Sequence, residues 1–167
     1  MKLAVYYVDA FAERQFTGNP AAVVPLDTWL PDGLMQAIAA ENNLSETAFL
    51  VAAGGTGHYG LRWFTPRVEV PLCGHATLAS AFVLKALRGE ASSEVVFATR
   101  SGALTVRERD GLFTLDFPAL MSTPDDGDRA RLSALLGADV AAMYVTKDRY
   151  LCLLRGADAV RALAPDM

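Results

Sequence analysis

The sequence predicts an α+β fold in which a strongly bent, mostly antiparallel sheet wraps around one central helix. Three observations predict it. The stretch VPLCGHATLASAFVLKALRGE, residues 70–90, carries apolar side chains in nearly every direction over 78–87, the mark of a helix enclosed on all sides. Strand-like runs lie both before and after it. Those after it are joined by short turns, Arg100-Ser101-Gly102 and Arg109-Asp110-Gly111, the second a strong hairpin signal.

The elements follow in order. LAVYYVDAF is β-branched and aromatic and reads as a first strand. AERQFTGNP is a loop with its turn at Gly18-Asn19-Pro20, and AAVVPL is a second strand. LPDGLMQAIAAENN is a helix: Pro31 opens it, Asp32 places negative charge in the first turn, and Leu34, Met35 and Ile38 line one face. SETAFLVAA and HYGLRWFT are strands joined by the glycine turn GGTG, and PRVEVPLCG is a loop into the central helix. That helix runs from about Ala76 to Leu87 and stops at Arg88-Gly89. EVVFAT, GALTVRE and LFTLDF are three further strands.

After residue 118 the composition shifts. PALMSTPDDGD reads as a linker, RARLSALLG as a short helix, AAMYVTK and RYLCLL as strands, and GADAVRALAPDM as the start of another helix. The expected division is 1–118 as a first lobe and 119–167 as a linker and the truncated start of a second.

Composition limits the function classes. The chain has 167 residues, 52% hydrophobic and 20% charged, enough to bury a core. A net charge of −4 with scattered basic residues argues against a nucleic-acid partner. Two cysteines, Cys73 and Cys152, make no disulfide framework and point to a reducing compartment. Asp9 interrupts the N-terminal apolar run, and no run approaches the roughly 18 residues of a membrane span. A soluble cytoplasmic protein with no membrane partner is expected.

The central helix begins with Cys73, Gly74, His75, Ala76 and Thr77. A helix start carries unpaired N–H groups and partial positive charge, so it suits a carboxylate or phosphate. Gly74 lets a ligand approach the backbone, and His75 adds a titratable ring that the positive helix end should keep neutral. The other reading is a buried helix start with a hydrogen-bonded core histidine. Glu46 raises the same choice. If it shares a strand face with Ala48 and Leu50, that face is costly for an ionised carboxylate, which could then exchange protons near neutral pH; otherwise it is a solvated strand end. Asn19 reads first as a turn residue, and Glu41 with Arg62 as a surface pair. Cys73-x-His75 lacks the further ligands of a metal site, and there is no GxGxxG, P-loop or GxSxG, so neither metal nor cofactor is expected.

Four ordered blocks carry a family resemblance: VDAFAERQFTGNPAAVV, LPDGLMQAIAAENNLSETAFL, LRWFTPRVEVPLCGHATLASAFVL and, more loosely, LFTLDFPA. They resemble the phenazine-biosynthesis PhzF-like isomerase family, a branch of the diaminopimelate epimerase-like fold. The resemblance implies two similar lobes, each a sheet rolled around a central helix, with the active site between them. It places the catalytic carboxylate on Glu46 and puts His75, Gly74 and the following amides, from Ala76, against the substrate; Asn19 is kept beside them as a candidate substrate contact. It implies cofactor-free proton transfer on a small cyclic or amino-acid-like carboxylate, as in isomerisation of a dihydro-3-hydroxyanthranilate.

The family's second lobe carries a block resembling EDPVTGSAH, and no such block stands in this sequence. A homodimer, or pairing with a missing second lobe, is expected to supply the second wall. Two alternatives remain open: a cysteine-based racemase or epimerase using Cys73, and a catalytically incomplete lobe acting as an assembly partner.

Overall fold

A helix that is apolar all round must be covered on several sides, and a curled sheet provides that cover in the computed structural model. The structure describes residues 2–147 and 149–165. The chain divides into two compact units, Met1–Phe117 and Pro118–Met167.

In the first unit β1 (Tyr6–Ala10) and β2 (Asn19–Leu26) form an antiparallel pair. The chain then crosses through α1 (Asp32–Asn42) into β3 (Glu46–Ala52), which runs parallel to β2. β4 (His58–Phe64) returns antiparallel to β3, and the two-residue β5 (Glu69–Val70) pairs with β4. α2 (Gly74–Phe82) continues as a π-type turn over Val83–Leu87 and leads into β6 (Glu94–Thr99), parallel to β4. β7 (Gly102–Arg109) and β8 (Leu112–Asp116) complete the order β1-β2-β3-β4-β6-β7-β8 as antiparallel neighbours. α2 packs against β1, β2, β3 and β8, so strands from both ends of the sheet meet one helix. This is the mixed α+β, curled-sheet arrangement that the sequence predicts.

The core around α2 joins Ala76, Ala79, Ala81, Val83 and Leu84 to Val23, Ala48, Leu61, Trp63, Val95, Phe97 and Val106. A second cluster lies under α1: Met35 and Ala39 meet Val24, Phe49 and Phe64, with the two phenyl rings edge to face at 5.6 Å. Four sequence readings change. Leu34 is 38% exposed, and Met35 with Ala39 forms the buried face of α1, since the helix is rotated by its packing on β3 and β4. The 66–74 loop contains β5. α2 is not covered on every side, because Phe82 and Leu87 are 38% and 53% exposed along an open groove. Arg62 does not reach Glu41: its guanidinium makes two 2.8 Å hydrogen bonds to Glu69 and one to Asp32, and it lies over the rings of Trp29 and Phe64.

The second unit has a three-stranded sheet, β9 (Thr123–Pro124), β10 (Ala142–Val145) and β11 (Tyr150–Leu153), in the order β11-β10-β9. It also holds α3 (Arg129–Leu136) and α4 (Ala157–Arg161). Val140, Met143 and Leu154 form its small core, with Leu132 and Leu136 of α3 packed on them. No helix among the described residues is long and apolar enough to cross a membrane.

Phe49 is fully buried between α1 and β4. Phe49→Ala is expected to cost about 3–5 kcal/mol by the lost transfer and cavity terms. Urea denaturation followed by circular dichroism measures this; a loss below about 1 kcal/mol would contradict the packing described.

Candidate active site

Glu46 is the first residue of β3, and three local features put it there. Asn43 adopts a left-handed conformation, φ 48°, that closes α1 with its amide on the Ala39 carbonyl. Asn42, one residue earlier, accepts from the Tyr7 hydroxyl and donates to Thr47 Oγ1 at 3.1 Å, pinning the chain beside Glu46. The parallel register then sets Glu46 opposite Ala21 of β2. Ala48 and Leu50, two and four residues on, enter the main core, so the Glu46 side chain shares their face and is one-fifth exposed at its rim.

α2 brings the other groups. Cys73, in extended conformation, precedes the first turn, and its carbonyl accepts from Thr77 Oγ1. Ser80 Oγ likewise donates to the Ala76 carbonyl, so the buried hydroxyls are satisfied inside their own helix. His75 is buried. Its Nδ1 lies 3.4 Å from Cys73 Sγ, and its Nε2 lies 3.4 Å from Glu46 Oε2. The second distance is within electrostatic reach but longer than a formed hydrogen bond, and Nε2 has no formed partner among the described residues.

Burial holds the imidazole below its ordinary titration range; the Glu46 charge and the Pro20 carbonyl oppose that shift without cancelling it. The expected neutral ring is therefore present, with desolvation as its first cause. Burial pushes the Cys73 thiol up to about 12; the Glu46 carboxylate adds to this, and the Ala76 amide opposes it. The site thus holds a neutral thiol, a neutral imidazole and a carboxyl group.

The other named residues fall at graded distances from this group. Gly74 is the first residue of α2, but its open side faces a ring: a Cβ there would come 2.7 Å from Cζ of Phe117. A side chain at 74 would have to displace the Phe117 ring, which is 42% exposed. Ala76 is fully buried, so only its backbone could meet a ligand, and its amide already faces Cys73 Sγ. Asn19 opens β2 with its side chain exposed, two residues from the Ala21 position that faces Glu46. Three participants escaped the sequence reading: the Pro20 carbonyl, Phe117 and the hydrogen-bonding role of Cys73. Pro20 and Phe117 did stand in the blocks TGNPAAVV and LFTLDF, but neither residue type signals chemistry by itself.

Donor atoms of Glu46, Cys73 and His75 all lie within 4.8 Å of one another. The two 3.4 Å approaches use opposite nitrogens of one imidazole. A histidine offers one nitrogen to a given ion, so an ion shared by the three groups would take one of these two approaches from the ring. A wide groove of the first unit lies elsewhere, between β1, the 11–16 loop, α2 and the β7–β8 turn, and of the residues around this group it is lined only by Pro20.

The depressed titration of His75 fixes a sign. A folded state that holds the ring neutral loses stability as pH falls below the unfolded value of about 6.5. Thermal unfolding midpoints should therefore drop between about pH 7 and pH 5, above the range where Asp32, Glu69 and Glu90 protonate. His75→Gln should flatten that segment of the profile. An unchanged slope in the variant would show that another group titrates there.

Comparison with known proteins identifies the family. The family model described as phenazine biosynthesis-like protein matches residues 8–167. An uncharacterised isomerase of Pseudomonas aeruginosa is 52% identical over 166 residues, covering 99% of this chain and 62% of that protein. A phenazine biosynthesis-like domain-containing protein of Homo sapiens is 47% identical over 132 residues, 75% of this chain and 46% of that protein. Among solved structures, a PhzF family protein of Enterococcus faecalis superposes with a TM-score of 0.90 at 44% identity, covering 99% of this chain and 62% of that one. A protein of Pseudomonas aeruginosa described as a predicted epimerase gives 0.76 at 26% identity, covering 99% and 64%. The chain thus spans under two thirds of the length of these relatives. With its blocks in order, its sheet curled around α2 and this extent of identity, the chain belongs to the phenazine biosynthesis-like family.

Proposed function

We propose that this chain supplies the acid–base wall of an isomerase that moves a proton without a cofactor. Glu46 takes a proton from one carbon of a small cyclic or amino-acid-like carboxylate and returns a proton to another. One observation carries the reading: a single carboxyl group at the rim of an apolar face, 3.4 Å from a buried neutral imidazole at the start of a helix. A carboxylate so placed can act first as general base and then as general acid. His75 orients Glu46 and faces the substrate. The positive end of α2, with the backbone at Gly74, His75 and Ala76, attracts the substrate's carboxylate. Asn19 contributes at the edge of the pocket. The isomerase description of the bacterial relative supports the reaction class.

The thiol mechanism is disfavoured by the chemistry of Cys73. A racemase cysteine works as thiolate, and this thiol is pushed up to about 12 by burial and the neighbouring carboxylate. Cys152 stands in β11 of the second unit.

In this reading the chain forms one wall of a cleft, and a second lobe or a second copy forms the other. Sedimentation at micromolar concentration separates the two: a monomer at every concentration removes self-pairing.

Dihydro-3-hydroxyanthranilate incubated in deuterated water tests the chemistry, with exchange and isomerisation read by NMR. Glu46→Gln should lower the rate by about 10²- to 10⁴-fold, the span of general acid–base contributions. Cys73→Ala should lower it by less than about tenfold, the reach of one neutral hydrogen bond. The opposite order of effects would overturn the assignment in favour of the thiol.

A further inference from the structure

We infer that Cys73 is a positioning residue that fixes the tautomer of His75: its S–H donates to Nδ1, and the single imidazole proton therefore sits on Nε2, facing Glu46. The inference rests on the proposed role of Glu46 but concerns a different group and a different observable.

The argument counts donors and acceptors around a buried ring. A neutral imidazole has one N–H and one bare nitrogen. On the Nε2 side lies Glu46 Oε2, 3.4 Å away. It is an acceptor. A bare Nε2 would set lone pair against lone pair in a place from which water is largely excluded, so the proton belongs there. Nδ1 is then an acceptor that needs a donor. The group within reach is the Cys73 thiol, at 3.4 Å, inside the range of a hydrogen bond to sulfur.

The thiol is suited to this. It is free of any disulfide and buried, and it keeps its hydrogen across the physiological range. The Ala76 amide and the Glu46 carboxylate also face the sulfur; Glu46 is already the acceptor for the Nε2 proton, so the S–H turns to Nδ1. Two donors then line up: Cys73 S–H to His75 Nδ1, and His75 Nε2–H toward the Glu46 carboxylate. They sit at the first turn of α2. Their effect on Glu46 is directional. One carboxylate oxygen faces the imidazole N–H, which leaves the other for the substrate's proton.

Long-range 1H–15N correlation NMR of the 15N-labelled protein near pH 7.5 reads the tautomer directly. The sequence has only two histidines, and the exposed His58 at the start of β4 is the internal reference. The expected wild-type spectrum shows His75 protonated on Nε2 alone, with the Nδ1 resonance displaced from that of a free bare nitrogen. Cys73→Ala should abolish the displacement and mix the tautomers; Cys73→Ser, which keeps a donor, should preserve both. The rate kcat should fall about three- to tenfold in Cys73→Ala with KM unchanged, and recover in Cys73→Ser. A wild-type His75 carrying its proton on Nδ1 overturns the inference without any variant, as does a Cys73→Ala spectrum identical to wild type. Full activity in Glu46→Gln would defeat the proposed function and leave this test intact.

Discussion

The molecule is organised by the need to cover one helix. Residues 78–87 put apolar side chains in almost every direction, so α2 cannot lie on a sheet as an ordinary amphipathic helix does. It is held instead by β1, β2, β3 and β8 together, which forces the sheet to curl until its first and last strands meet the same helix. A flat sheet would leave two sides of α2 in water. The alanines at 76, 79 and 81 let the strands approach closely, while Val83 and Leu84 fill the wider end. Where the curl stays open, Phe82 and Leu87 remain accessible.

The same constraint builds the chemistry. A helix enclosed along its length still ends, and its first turn must emerge with unpaired amides and partial positive charge. At that mouth the sheet delivers β3, with Glu46 as its first residue and Asn42 tying the preceding turn to β1. Desolvation then does the selecting. It keeps His75 neutral and Cys73 protonated, and it leaves each of them to settle its hydrogen bonds with neighbours rather than with water. Apolar packing and acid–base character are thus two results of one enclosure.

The broad layout was legible in the sequence because it rests on patterns of period and punctuation. The all-apolar helix, the Arg109-Asp110-Gly111 hairpin and the proline-opened α1 each carry their own local cause. Sequence patterns gave less about facing directions. Which side of α1 is buried depends on how it settles on β3 and β4; Met35 is buried as read, Ala39 joins it, and Leu34 is left exposed. Arg62 found Glu69 and Asp32, both distant from the Glu41 suggested by simple charge pairing, because strand pairing of β4 with β5 sets Glu69 beside it. In the site, Glu46 and His75 could be named because their residue types carry chemistry. The Pro20 carbonyl, the Phe117 ring on Gly74 and the contact of Cys73 with the imidazole are products of three-dimensional register. No residue type announces them.

Two of the strand pairings are parallel, β2 with β3 across α1 and β4 with β6 across α2. A parallel neighbour cannot be reached by a tight turn, so each pairing waits until its crossover helix is seated. Contacts so remote in sequence are slow to close. Glu46 depends on the first crossover and His75 on the second element to be seated. Their meeting therefore requires both crossovers, and a molecule in which either is opened holds the ingredients of the site without its arrangement.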